Sequence, residues 1–109
     1  MNDALRKARA QRHLEFGILC QRIDEHEGKF SRNVLRRLSK CRSQFNATVN
    51  DQILGELIKS NLSCLAEMEL FVKARNAGDS VAEYKHRKEA TRLWDEGSVI
   101  AIRITEELS

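Results

Sequence analysis

No proline interrupts the 109 residues of this chain, and that absence constrains it more than any other feature. Every segment keeps its backbone N–H donors, so hydrogen-bonded helices can run long without a kink or a break. Leu, Ala, Glu, Arg and Lys are abundant, and these residues lose little freedom on entering a helix. Apolar residues at three- and four-residue steps then mark four helices, at about 3–27, 31–46, 51–77 and 80–108.

In the first segment Leu5, Ala8, Phe16, Leu19, Cys20 and Ile23 share a face, and Gly28 offers the left-handed conformation that ends a helix. Ser31 reads as the cap of the second, with Phe30 placed to staple onto Leu35, and Val34, Leu38, Cys41 and Phe45 form its seam. The third carries a broad stripe of Ile53, Leu54, Leu57, Ile58, Cys64, Leu65, Met68, Phe71 and Val72, and Gly78 stops it. Ser80 and Glu83 then spell a capping box, opening a fourth helix lined by Ala82, Ala90, Leu93, Gly97, Ile100, Ala101, Ile104 and Leu108.

Two boundaries stay open on the sequence. Thr48 and Asp51 look like a capping pair, but no glycine precedes them, so helices two and three could form one kinked rod. Residues 99–104 are rich in β-branched side chains and also fit a strand, although a lone strand would find no partner edge here. With short connections, the expected fold is all-α: an antiparallel up-down four-helix bundle, residues 1–109 forming a single domain. A chain of this length buries roughly two-thirds of its unfolded surface, enough for one core.

Nothing in the chain has the length and apolarity of a membrane span, and Met1–Arg9 carries charge where a secretory signal needs apolar residues. A cytoplasmic setting without membrane association is therefore expected. Cys20, Cys41 and Cys64 are far apart in the sequence and form no Cys-x-x-Cys pair. They read as small hydrophobes. The tripeptides at Asn46 and Asn61 match the glycosylation pattern by chance on this reading.

The formal charge of +3 is unevenly spread: residues 28–50 hold Lys29, Arg32, Arg36, Arg37, Lys40 and Arg42 and no acid. Arg32, Arg36 and Lys40 fall at i, i+4 and i+8, opposite the apolar seam of helix two, with Lys29 and Arg37 beside them. Such a face suits an acidic protein surface or a phosphate backbone. For base reading it offers little besides Asn33, Ser39 and Ser43.

Polar residues intrude on the apolar faces at Arg12, Asn61, Glu83 and His86. Asn61 suggests a register-fixing core amide, and Arg12 an end-snorkelling cation or a partner for a neighbouring carboxylate. Helix levels put His26 near Glu83 and His86, a trio that could hold a divalent metal. Leu14 and Ile18 project from helix one, and Val99 and Ile102 from helix four, away from the seams. Joined, they would make an apolar patch for self-association as a homodimer.

The glycines are isolated and no phosphate loop or cofactor motif is present. By elimination the expected role is a non-enzymatic protein-interaction module, such as a regulator, adaptor, chaperone or immunity-type inhibitor, acting through charged helix faces and needing no cofactor. Nucleic-acid binding through the basic face of helix two is the alternative.

Overall fold

In a computed structural model, residues 3–45 and 52–108 are described. They form four helices: α1 (Asp3–Glu25), α2 (Arg32–Phe45), α3 (Gln52–Asn76) and α4 (Ser80–Leu108). There is no strand among the described residues, and 99–104 continue α4. The question of a kinked rod, the Thr48–Asp51 pair and the Asn46 tripeptide all fall on residues 46–51, outside the described residues. None of the helices is long and apolar enough to cross a membrane, among the described residues.

The body measures 47 × 22 × 19 Å. A 29-residue helix rising about 1.5 Å per residue accounts for most of that length. Contacts pair ascending residues of α3 with descending residues of α4: Ser60 with Leu93, Cys64 with Ala90, Glu67 with His86. Those of α1 and α4 do the same, Asp24 meeting Arg87 and His13 meeting Ser98.

α3 touches each of the other three helices, as the breadth of its apolar stripe demands. Most of its buried apolar residues belong to two clusters. One gathers Phe16, Ile23, Phe30, Leu38, Phe45, Leu65, Phe71 and Val72; the other gathers Ala10, Leu54, Leu57, Ala101 and Ile104. Between them in the sequence of each helix lie buried His13, Ser60, Asn61 and Gly97. The apolar stripe of α1 therefore shifts phase toward its start: Ala8 is exposed, while Arg6, Ala10 and His13 face inward.

The turn between α3 and α4 departs from the capping box. Gly78 adopts φ 73°, its N–H bonding Arg75 O (3.0 Å), while Asp79 N–H reaches Ala74 O (2.9 Å). This is the paired bonding of a Schellman motif, which only a left-handed residue completes without strain. Asp79 then turns to α4: its Oδ1 accepts from Ala82 N–H (3.1 Å), so the aspartate caps α4 in place of Ser80. Glu83 is drawn off to Arg75 Nε, at 2.6 Å. An ion pair across the turn outcompetes the reach back to the helix start.

At the same end Gly28, with φ 78°, closes α1. Asn76 takes hold of Phe30 on both sides, accepting from its N–H (2.7 Å) and donating to its carbonyl (3.1 Å). Arg75 donates to His26 O and lies over the rings of Phe30 (4.8 Å) and Phe71 (5.0 Å). Among the described residues Arg12 meets no carboxylate; with Arg9 it donates to Gln44 O, each at 2.8 Å. Two guanidiniums thus satisfy a carbonyl at the C-terminal, negative end of α2.

Candidate interaction surfaces and a buried polar layer

The basic face of α2 is built by helical spacing alone. Leu38 and Phe45 point inward and anchor the helix, so Arg32, Arg36, Arg37 and Lys40 are carried outward, with Lys29 on the preceding loop. All five are exposed. Arg42, on the same helix, pairs with Glu69 of α3, whereas none of those five meets a carboxylate among the described residues. Their charge spreads onto Cys41, whose thiol is pushed up by burial and pulled back by Arg37 and Lys40.

Leu14, Ile18, Val99 and Ile102 are each more than half exposed. Leu14 and Ile102 form opposite walls of a groove of about 420 Å³ between α1 and α4, lined also by Ala10, His13, Trp94, Ser98 and Ala101. A second hollow of about 230 Å³ lies further along the same helix pair, with Gly17, Cys20, Cys64, Met68 and Trp94 in its wall. The cysteines are free thiols there. A hydrogen bond with Cys64 and burial both hold Cys20 far up in its protonated form, in keeping with a small apolar filler.

The metal trio does not assemble. His26 binds Lys29 O (3.0 Å) and stacks on Phe30, Glu83 pairs with Arg75, and His86 binds Glu67 (2.6 Å). Each side chain finds a closer partner than the other two, and no three His, Cys, Asp or Glu side chains converge on a metal-sized site among the described residues.

What the sequence reading missed is the layer around His13. This side chain is 0% exposed; its Nδ1 lies 2.7 Å from Asn61 Oδ1 and its Nε2 2.9 Å from Ser98 Oγ. The ring stacks on Trp94, centroids 4.9 Å apart and planes 11° from parallel. Asn61 is thus partnered across helices, and as a 2%-exposed residue it is shielded from glycosylation. Burial pushes the imidazole pKa down, the bond with Asn61 opposing it. Ring stacking needs close helices. At Gly17 an added Cβ would fall 2.5 Å from Trp94 Cζ2, and at Gly97 2.9 Å from His13 Cε1.

The signal for this layer was a histidine in step with Ala10 and Phe16 on the buried face of α1. Spacing cannot disclose its partners, which stand 48 and 85 residues away. No protein-family model, characterised protein or solved structure matches the chain.

Proposed function

We propose that the chain is a protein-interaction module that docks an acidic protein surface with the outer face of α2, in the manner of a regulator, adaptor, chaperone or inhibitor. One observation carries this reading: Lys29, Arg32, Arg36, Arg37 and Lys40 are all exposed on one short helix and its leading loop, and none of them meets a carboxylate among the described residues. Elsewhere the exposed guanidiniums of Arg87 and Arg92 are engaged by Asp24, Glu89 and Glu96, and those that meet no carboxylate among the described residues, Arg22 and Arg103, stand singly on α1 and α4. Unpaired like charges repel one another, and an acidic partner relieves that repulsion while steering association.

The test is reversal of Arg32, Arg36 and Lys40 together to Glu. Because all three are exposed, folding should persist while capture of the partner from native lysate is lost. Capture that survives the reversal overturns the reading. The same i, i+4, i+8 run of cations supports nucleic acid as a second reading. Nuclease treatment separates the two, and affinity for a labelled duplex would then fall with salt at a slope of about 0.9 per phosphate neutralised.

We infer also that Leu14, Ile18, Val99 and Ile102 seat a second copy of the chain. Their exposure on neighbouring helices supports an isologous contact.

A further inference from the structure

We propose that Ser98, His13 and Asn61 act as nucleophile, base and positioning residue, and that the groove they face hydrolyses esters of short aliphatic acids. The proposal is independent of the basic face of α2.

The geometry has the order that acyl transfer requires. Asn61 Oδ1 stands 2.7 Å from His13 Nδ1; in the proposed tautomer the ring hydrogen is on Nδ1, and the amide oxygen accepts it. The lone pair of Nε2 is then left facing Ser98 Oγ at 2.9 Å. That is the tautomer and the distance a general base needs toward a hydroxyl nucleophile. The base is held in place by its stack on Trp94, and burial, which disfavours the imidazolium, keeps it neutral and able to accept a proton at pH 7.

Access is asymmetric in the useful sense. His13 is fully covered, whereas Ser98 is half-buried and lines the 420 Å³ groove. The hydroxyl has a second acceptor, Trp94 O at 3.0 Å, so its hydrogen swings between that carbonyl and Nε2 by rotation about Cβ–Oγ while the oxygen stays put. Ala10, Leu14, Ala101 and Ile102 give the groove an apolar wall for an acyl chain. Trp94 Nε1 is buried without an acceptor. It packs against Gly17 of α1 and takes no part in the proposed chemistry.

In the reaction Ser98 Oγ attacks the ester carbonyl carbon as His13 Nε2 takes the hydroxyl proton. The bond from that carbon to the alcohol oxygen breaks, and the alcohol leaves with the proton from Nε2. Solvent water, deprotonated by the same nitrogen, then attacks the acyl-serine; the acid departs and Oγ recovers its proton.

The experiment uses the whole chain carrying Ile18→Glu, which breaks the proposed contact between copies outside the groove lining, with p-nitrophenyl butyrate as substrate. The expected result is p-nitrophenolate release above the uncatalysed rate, together with a butyryl or fluorophosphonate adduct that peptide mass mapping places on Ser98. Ser98→Ala and His13→Gln should each lose about 100-fold or more. Asn61→Ala should lower kcat, while Asn61→Asp, which keeps the acceptor, retains it and moves the acidic limb of the pH profile upward by stabilising the imidazolium. Reversal of Arg32, Arg36 and Lys40 should change nothing. An unmodified Ser98 in the folded Ile18→Glu chain overturns the proposal. So does full turnover by folded Ser98→Ala.

Discussion

Gly97 of α4 faces His13 of α1 so closely that a methyl group at residue 97 would fall 2.9 Å from Cε1 and 3.2 Å from Ser60 Oγ. Neither neighbour is a loose chain end: the imidazole is bonded on both nitrogens and the serine hydroxyl is tied to Leu93 O at 2.8 Å. Gly97→Ala should therefore destabilise the fold by about 1–3 kcal/mol, although alanine is the better helix former. Urea midpoints measure it. Unchanged or increased stability would mean that the helices part without cost.

Acid should weaken this layer in a defined window. Burial lowers the pKa of His13 in the folded chain, so between that value and about 6.5, the ordinary histidine value, the unfolded chain binds the proton more tightly. Stability from this residue is constant above about pH 6.5 and falls as pH drops below it. His13→Gln cannot titrate. Its stability deficit relative to wild type should thus shrink from pH 7.5 to pH 5, and a deficit that stays level or grows would refute the assignment.

The caps at the α3–α4 turn predict an inverted ranking of substitutions. Asp79→Ala removes the acceptor for Ala82 N–H and should cost about 1 kcal/mol, whereas Ser80→Ala should be within about 0.5 kcal/mol of neutral. Thermal melts of the two variants side by side decide it. Equal losses, or a larger one at Ser80, would reinstate the capping box.

Self-association through the α1–α4 rims predicts a light-scattering mass of about twice 12.5 kDa at micromolar concentration. Ile18→Glu combined with Ile102→Glu should bring it back to one chain, since both side chains are more than half exposed and their replacement leaves the core untouched. A monomer at all concentrations would assign the patch to another occupant.

The helices were legible because period and punctuation agree: the stripe of α3 from Ile53 to Val72 becomes its buried face, and Gly28 and Gly78 take the positive φ that their positions suggested. Surface residues of α2 were equally legible, since opposite an apolar seam there is solvent. Partnerships were not. Local pattern offered Glu83 a place in a capping box, yet Arg75, one turn back across the loop, claims it. His26 and His86 bond to Lys29 O and Glu67, partners that helix levels did not suggest. Ser98 carried no mark at all, because a serine in a helix is commonplace until His13 arrives from another helix.

The mooring of α2 has a consequence for how the molecule breathes. This helix is tethered at its two ends, through the Phe30–Asn76 clasp and the Gln44 carbonyl. Along its length it leaves hollows of about 280 and 200 Å³ toward α1. Its amides should exchange with deuterated solvent as one cooperative unit, earlier than those of Leu57–Val72, whose helix is gripped on several sides. The element that bears the exposed cations is then also the one expected to open first, giving up the burial of Leu38 and the Arg42–Glu69 pair as it does.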